Sequence, residues 1–351
     1  MLRFECDYLE GCLPEILGRL QETNLLQTPG YGRDDICEQA RNTIKRLCNA
    51  SGADVHFLVG GTQTNATVIS SVLRQYQGVM CAETGHINVH ETGAIEHGGH
   101  KVLSLQCPDG SGKISAEAVQ EYLQRHFAEN GREHCVQPGM LYISMSTELG
   151  TIYSKQELLS LKDVCSRWDI PMFVDGARLG YALACGNCDV TLSDLAAIAD
   201  VFYIGGTKQG ALFGEAVVIC NDALKKDFRY CIKQGGGMLA KGRLLGLQFQ
   251  TLLEGERFED TLYFRSAAKA DALARQIRDA LVQAGCSFLV DSPTNQLFPI
   301  FTTAQYEKLS SDFGMDFWCK VDDGHVAVRI CTSWATTPRQ ADTLVRALRA
   351  L

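Results

Sequence analysis

The chain has 351 residues, of which 46% are hydrophobic and 21% are charged, and it carries a formal net charge of −8 at pH 7. A chain of this size buries a substantial core and is expected to form one large domain with a smaller one, or two similar domains. The acidic balance and the absence of any Lys/Arg block argue against nucleic acid or a membrane surface as a partner. No apolar run approaches the ~18 residues of a membrane span, and the first residues lack a signal-peptide pattern, so we predict a cytoplasmic protein.

Fifteen cysteines are scattered along the chain from Cys6 to Cys331. An odd, dispersed set in a chain of this length does not indicate a disulfide framework, and most are expected to be small buried apolar residues in a reducing compartment. Cys185 and Cys188 form a C-x-x-C pair. A zinc site would need a second pair or histidines at ligand spacing, which the following residues do not supply, so a structural or incidental pair is favoured and no metal is predicted.

The first two-thirds of the chain alternate short apolar segments with helix-like segments. The segments predicted as strands are 54–60, 78–83, 100–106, 139–146, 170–175, 199–206 and 216–220. The clearest predicted helices are 61–76, 115–130 and 154–169. Ser115 is the predicted N-cap of the second, and Ser154 with Glu157 forms a predicted capping box on the third. This alternation predicts an α/β fold whose central sheet is mostly parallel and covered by helices on both faces.

The pattern changes from about Asn221 onward. Helix-like stretches occupy 241–285, and short predicted strands at 286–290, 296–301 and 325–331 precede a last helix at 339–351. This order is typical of an α+β domain, with a boundary near residues 225–250. We therefore predict an N-terminal segment, 1–25, that packs with the small domain, a large domain, 26–235, and a small C-terminal domain, 236–351.

Three candidate functional groups lie where predicted strands end, which is where open α/β sheets bind ligands. VGGTQTN (59–65) places glycines and a threonine before a helix N-terminus, which suits a phosphate, although such a turn is often only a turn. Asp175 ends an apolar strand, and a local ion pair with Arg178 is the structural alternative. Lys208 follows the strand at 199–206, and a partly desolvated lysine is a better nucleophile toward a carbonyl.

The three groups together match the requirements of pyridoxal 5′-phosphate (PLP), which needs an anion cradle, a carboxylate on its pyridine nitrogen and a Schiff-base lysine. Four histidines lie between the first two groups: His86, His90, His97 and His100. A metal cluster is one interpretation, but no H-E-x-x-H motif is present. The alternative is that one imidazole stacks on the cofactor ring, and His86, which directly follows a predicted strand and its turn, is the best placed. A nucleotide site would need a Walker-type lysine that the spacing does not provide.

These motifs, with ETGHINVHETGA (83–94), KQGGGM (233–238) and VRICTSW (328–334), resemble the L-threonine aldolase branch of the β-eliminating lyase family. The resemblance extends over nearly the whole chain. It implies a PLP-dependent transferase-like architecture of fold type I, the aspartate aminotransferase fold. It also implies a homo-oligomer, dimer or tetramer, whose active sites are completed across the subunit interface, with the glycine-rich segment at 234–243 close to the partner's cofactor.

The resemblance also implies a role for each matching residue. Lys208 forms the Schiff base, Asp175 pairs with the pyridine nitrogen, and His86 stacks on the ring. Gly61 and Thr62 hold the phosphate. Arg178 lies near both the phenolic oxygen of the cofactor and the substrate carboxylate. The implied cofactor-binding residues are Gly61, Thr62, Gln63, His86, Asp175, Arg178, Thr207 and Lys208. The implied carboxylate-binding residues are Cys6, Arg178 and Arg329.

The sequence differs from the family pattern at three places. Cys6 occupies the position of the family's N-terminal serine, and Leu239-Ala240 follows Met238 where Arg-Gln is usual. Glu148 occupies the position of the histidine that contacts the substrate hydroxyl, which makes it a candidate catalytic residue, with His90 or a bound water as the other candidate bases.

The predicted function is therefore aldol cleavage of a β-hydroxy amino acid, with L-threonine and L-allo-threonine giving glycine and acetaldehyde. Because Glu148 replaces the histidine, another PLP-dependent reaction, β-elimination or racemisation of a different amino acid, is the alternative. A cofactor-free binding protein that has kept an enzyme fold is a further alternative, and the presence of Lys208, Asp175 and His86 together argues against it.

Overall fold

A computed structural model describes residues 1–351. The strands are β1 (Leu2–Arg3), β2 (Asp54–Leu58), β3 (Gln77–Ala82), β4 (Val102–Leu105), β5 (Gln137–Ser144), β6 (Met172–Asp175), β7 (Val201–Gly205), β8 (Glu215–Ile219), β9 (Ser287–Phe288), β10 (Gln296–Leu297), β11 (Pro299–Thr302), β12 (Phe313–Gly314), β13 (Asp316–Lys320) and β14 (His325–Cys331). The α-helices are α1 (Pro14–Glu22), α2 (Asp35–Leu47), α3 (Gly61–Val72), α4 (His86–Val89), α5 (Ala94–His97), α6 (Ala116–Ala128), α7 (Lys155–Arg167), α8 (Leu179–Ala184), α9 (Leu192–Ile198), α10 (Phe228–Gln234), α11 (Arg243–Leu253), α12 (Leu262–Gln283), α13 (Thr303–Ser310) and α14 (Pro338–Leu348).

Seven strands form the central sheet in the order β2-β8-β7-β6-β5-β3-β4. Strand β8 runs antiparallel to both of its neighbours, and the other strand pairs are parallel. The parallel strands therefore end at one edge of the sheet, and the first residue of β8 lies at that same edge. The predicted mostly parallel sheet is confirmed.

Both faces of the sheet are buried. Successive side chains of a strand point to opposite faces, so each strand contributes to two apolar clusters. In β6, Met172 and Val174 belong to one apolar cluster, and Phe173 belongs to another. The first cluster extends to α2, α7, α9 and α11, and the second extends to α3 and α10. Continuous apolar strands are stable in the centre of such a three-layer arrangement because helices exclude water from each side.

The helix starts follow their predicted caps. Ser115 accepts a hydrogen bond from the N–H group of Ala118, and Ser154 forms a full capping box with Glu157. A side-chain oxygen at this position satisfies an N–H group that has no partner inside the helix.

The C-terminal part of the chain has its own antiparallel sheet, in the order β10-β14-β11-β9 with β13 on β14, and its own apolar cluster. Strand β1 pairs in parallel with β12, and Phe4 is buried in this same cluster. The side chains of α11, in contrast, pack in the core beside the large sheet. The division between residues 235 and 236 stays a prediction. No helix is long and apolar enough to cross a membrane.

Candidate active site

A cavity of about 590 Å³ opens at the edge of the central sheet where the parallel strands end. It brings together most of the residues singled out from the sequence. The predicted residues that line it are Gly61, Thr62, His86, His90, Glu148, Asp175, Arg178, Thr207, Lys208 and Arg329. They are far apart in the chain. Most of them follow the ends of strands of the central sheet, whereas Arg329 lies within β14 of the C-terminal sheet.

Asp175, the last residue of β6, is a buried carboxylate that accepts four hydrogen bonds. The Tyr142 hydroxyl (2.5 Å), the Asn65 side-chain amide (3.0 Å), the Ala177 N–H group (2.9 Å) and the Tyr203 hydroxyl are the donors. Burial raises the pKa of Asp175, but the charge of His86 and these hydrogen bonds outweigh burial, so the pKa lies below its usual value. Asp175 therefore stays negatively charged while facing the cavity.

His86 is held by a second buried carboxylate. Its Nδ1 lies 2.7 Å from Glu91 Oε1, and the same oxygen accepts a hydrogen bond from the Asn65 amide at 2.7 Å. Asn65 thus links Glu91 to Asp175. Because Nδ1 is engaged, the orientation of the imidazole ring is restrained while its other nitrogen remains available.

Glu148 lies in the loop after β5 and faces the cavity. Its Oε1 accepts hydrogen bonds from the His86 N–H group (2.9 Å) and the Ser144 hydroxyl (2.7 Å), and its Oε2 has no hydrogen-bond partner. Burial is the largest influence on this carboxyl group and raises its pKa above the usual value. A carboxylate with a raised pKa and a free oxygen is a competent proton acceptor near neutral pH.

Lys208 lies in the short 3₁₀ turn Thr207–Gln209 that follows β7. Its amine forms no hydrogen bond or ion pair and faces the cavity. Burial, reinforced by the charge of Arg178, lowers the pKa of this amine. A neutral primary amine is the form that attacks a carbonyl carbon, so the site favours the reactive state.

Helix α3 begins at the cavity with an uncapped N-terminus. Its N-cap, Gly60, provides no side chain, and a Cβ atom at Gly60 would meet nothing within 4 Å. The space in front of the helix is therefore open, and the helix dipole favours an anion there. Gln63 is not among the lining side chains. Its side-chain amide accepts a hydrogen bond from the Val59 N–H group and donates one to the Gly235 carbonyl. This second contact places the glycine-rich segment beside the start of α3 of its own chain.

The two arginines near the cavity are already paired. Arg178 forms a two-pronged ion pair with the buried Asp7 (2.7 and 3.0 Å), not the local pair with Asp175 considered above. Arg329 bonds to Asp316 (2.8 Å) and packs its guanidinium over the Trp318 ring. The half-buried Cys6 is not among the lining residues.

Several residues of this site were not predicted from the sequence. Tyr142 and Tyr203 lie inside apolar segments that predict strands, and Asp7 lies in a segment with no motif of its own. Glu215, the first residue of β8, was overlooked because only the segment after it was assigned to a strand. A polar residue at either end of an otherwise apolar strand is the signal that could have identified Glu215.

Three comparisons with known proteins identify the family and the fold of this chain. The family model described as β-eliminating lyase matches residues 20–303. Two low specificity L-threonine aldolases, from Pseudomonas sp. (strain NCIMB 10558) and Pseudomonas aeruginosa, are each 28% identical over 351 residues, covering 99% of this chain and 97% of the relative.

Solved structures agree as well. A threonine aldolase of Leishmania major superimposes with a TM-score of 0.95 at 40% identity, covering 100% of this chain and 99% of that one. An aspartate aminotransferase of Thermus thermophilus shares the fold alone, with a TM-score of 0.72 at 13% identity, covering 100% and 92%. The predicted fold class and the predicted lyase family are confirmed: this chain belongs to the β-eliminating lyase family.

Proposed function

We propose that the protein is a PLP-dependent carbon–carbon lyase that cleaves L-threonine or L-allo-threonine into glycine and acetaldehyde. One observation carries the proposal: the unpartnered amine of Lys208, the charged Asp175 and the uncapped N-terminus of α3 all face one cavity. These three groups fit the aldehyde, the pyridine nitrogen and the phosphate of PLP. When bound, PLP supplies an electron sink for the charge that develops at Cα. The similarity to solved and curated threonine aldolases supports the same activity.

The residues of the chain then have separate tasks. Lys208 provides the covalent attachment, and Asp175 keeps a proton on the pyridine nitrogen. His86, restrained by Glu91, presents its ring to the cofactor. Gly61, Thr62 and Thr207 hold the phosphate. We assign the removal of the β-hydroxyl proton to Glu148, whose Oε2 is free to accept it.

The substrate carboxylate requires cations, which Arg178 and Arg329 provide. Both already contact carboxylates of the chain, Arg178 that of Asp7 and Arg329 that of Asp316. The substrate therefore competes with Asp316 for Arg329. The planar guanidinium suits a carboxylate because it donates two parallel hydrogen bonds. Trp318, packed against the same guanidinium, restrains its direction.

The second candidate is β-elimination on the same cofactor, and the observation that favours it is the carboxylate of Glu148 in place of the family's histidine. The two reactions give different products. Purified protein loaded with PLP should release glycine and acetaldehyde from L-threonine. Pyruvate from L-serine or L-cysteine, with no acetaldehyde from L-threonine, would replace the aldolase assignment with β-elimination.

The cofactor is tested separately from the substrate. The protein should be yellow, and Lys208→Ala should lose the visible absorbance of the lysine-bound cofactor together with activity. Lys226→Ala, at an exposed lysine before α10, is the matched control and should keep the visible absorbance. A colourless protein that takes up no PLP would overturn the enzyme assignment.

We further propose a homo-oligomer, dimer or tetramer, with shared active sites, in the cytoplasm. Support for association comes from the exposed apolar side chains of the N-terminal region, Leu17, Leu25 and Leu26, and from the exposed glycine-rich segment beside α3. Support for a reducing compartment comes from the fifteen cysteines, all of which are free thiols.

A further inference from the structure

Glu215 lies at the base of the same cavity and has no role in the reaction described above. The residue is 3% exposed. In the sheet it pairs with Leu58, the last residue of β2, and with Gly205, the last residue of β7. It therefore lies between the two strand ends that carry the proposed phosphate-binding residues: Gly61 and Thr62 on one side, Thr207 on the other.

The Glu215 carboxyl group is engaged with the turn that carries the lysine. Its Oε1 accepts a hydrogen bond from the Thr207 hydroxyl (2.9 Å), and its Oε2 accepts one from the Gly206 N–H group (3.2 Å). The Thr207 oxygen in turn accepts a hydrogen bond from the Gly214 N–H group (3.1 Å). Glu215 thus fixes both the hydroxyl rotamer of Thr207 and the backbone just before Lys208.

A carboxylate at this place conflicts with a phosphate dianion, since two like charges in a partly desolvated site repel strongly. The conflict disappears if the carboxyl group is neutral. Burial raises the pKa of Glu215 to about 8, and its hydrogen bond from Thr207 and the charge of Lys208 only partly oppose this. At neutral pH most of the group is therefore protonated.

The other titratable groups that face Glu215 do not supply a compensating charge change. Asp175 has a lowered pKa and stays charged, whereas Tyr203 and Tyr263 have pKa values well above the usual value and stay neutral. Lys208 has a lowered pKa, so its positive charge fades as pH rises. Any comparison across pH must therefore separate Glu215 from Lys208.

We propose that Glu215 is a positioning residue for the phosphate end of the cofactor, holding Thr207 and Gly206 in place as a neutral acid that a phosphate dianion tolerates. The inference depends on the proposed PLP site. Its consequence is that phosphate binding weakens as pH rises and the acid ionises.

The test measures the affinity of pyridoxine 5′-phosphate between pH 6.5 and 9.5. This probe has no aldehyde and cannot react with Lys208. Glu215→Gln keeps one acceptor oxygen and cannot ionise. Lys208 is present in both proteins, and the charge of Glu215 acts on it only in the wild type. The ratio of the variant's affinity to the wild-type affinity should be near one at pH 6.5 and should rise up to about tenfold per pH unit above pH 8. Glu254→Gln, at an exposed glutamate, should follow the wild type at every pH.

A second measurement compares two probes. The affinity of pyridoxine 5′-phosphate relative to pyridoxine, which lacks the phosphate, should fall above pH 8 in the wild type and should fall less in Glu215→Gln, in which Lys208 titrates but residue 215 does not. Equal pH profiles for wild type and Glu215→Gln, or a constant ratio between the two probes, would overturn the role of Glu215 and leave the cofactor site intact. Failure of the wild type to bind either PLP or pyridoxine 5′-phosphate at any pH would overturn the cofactor site as well.

Discussion

Glu148 is the residue whose replacement best separates the proposed chemistry from cofactor binding. Glu148→Gln keeps the Oε1 acceptor for the His86 N–H group and the Ser144 hydroxyl, but it cannot take a proton. We expect kcat for L-threonine to fall by about 10²–10⁴-fold while the visible absorbance of the bound cofactor is retained. In the wild type, acetaldehyde release should rise with pH through the raised pKa of Glu148, and this rise should be absent from the variant.

His90 provides the matched control for that experiment. It faces the same cavity, and burial lowers its pKa, so its imidazole is also neutral and able to accept a proton. His90→Asn should retain kcat within about tenfold. If His90→Asn instead loses the larger factor and Glu148→Gln keeps the wild-type pH profile, the proton acceptor is His90.

The effect of the buried Asp271 carboxyl group on stability can be measured by varying the pH. It lies on α12 with 1% of its surface exposed, and neither carboxylate oxygen has a hydrogen-bond partner. Burial raises its pKa well above the usual value, so the folded protein holds this proton more tightly than the unfolded chain. The tighter binding of this proton contributes its full stabilisation below the unfolded pKa of about 4, and the contribution is lost as pH rises toward the folded pKa.

Asp271→Asn removes this titration. As pH rises from 4 to 8, the unfolding free energy of the variant should increase relative to that of the wild type, by up to about 1.4 kcal/mol per pH unit. Its thermal midpoint should rise relative to the wild type in the same direction. Asp279→Asn, at an exposed aspartate of the same helix, should stay within about 0.5 kcal/mol at all pH values. A pH-independent difference between Asp271→Asn and the wild type would show that Asp271 does not titrate with a raised pKa.

At the scale of single elements, the start of α3 has no side-chain cap. The missing cap lowers the stability of the helix but leaves open space for an anion. Gly60 is the N-cap in extended geometry, so other residues fit its backbone, and the space for a side chain is empty. Gly60→Asp should cap the helix and raise the stability of the cofactor-free protein by a few tenths of a kcal/mol. The added carboxylate should lower PLP affinity at least about tenfold, because it places a negative charge where the phosphate binds. PLP titration and thermal unfolding of the cofactor-free protein measure the two effects.

Gly60→Asn separates charge from shape at this position. The asparagine side chain caps the helix as well as aspartate does, but it carries no charge. It should give the same gain in stability with a smaller loss of PLP affinity. Equal losses for the two variants would mean that occupied space, rather than charge, excludes the phosphate.

The elements were predictable to the extent that local patterns determine them. The apolar runs and the caps at Ser115 and Ser154 predicted strands and helices that the structure contains. The strand ends predicted Asp175 and Lys208 because an apolar run that stops at a charged residue marks the edge of a parallel sheet. Glu215 could not be assigned in the same way, because its strand runs in the opposite direction and presents its first residue to the cavity. Strand direction is a tertiary property that periodicity does not encode.

At the scale of the whole molecule, the N-terminal segment connects both sheets to the active site. Strand β1 adds to β12 in the C-terminal part, and α1 contributes Ile16 to the core of the large domain. Between them, Asp7 pairs with Arg178 at the start of α8 and accepts a hydrogen bond from Asn295 (3.0 Å) next to β10. Three distant parts of the chain therefore meet at one buried carboxylate. This was beyond sequence analysis because the segment around Asp7 has no periodic pattern.

Asp7→Ala tests how strongly that junction stabilises the fold. Burial raises the pKa of Asp7, but the charges of Arg178 and Lys208 outweigh it, so Asp7 is ionised and its loss leaves Arg178 buried without a counter-charge. We expect a loss of about 3–5 kcal/mol in unfolding free energy at pH 7. The loss should shrink as pH falls below about 4, because the Asp7 carboxylate takes up a proton there in the unfolded wild-type chain, whereas in the folded protein it does so only below its lowered pKa.

The unpaired charge, rather than the lost contact, should account for most of that cost. The double variant Asp7→Ala/Arg178→Met removes both charges and should recover much of the stability, although it cannot hold the substrate carboxylate. Glu10→Ala, at an exposed residue of the same segment, should change stability by less than about 0.5 kcal/mol. Denaturant unfolding of the four proteins measures these differences. If the double variant is as unstable as Asp7→Ala, the junction is held by packing and by the Asn295 hydrogen bond, because removing the buried charge would then have restored nothing.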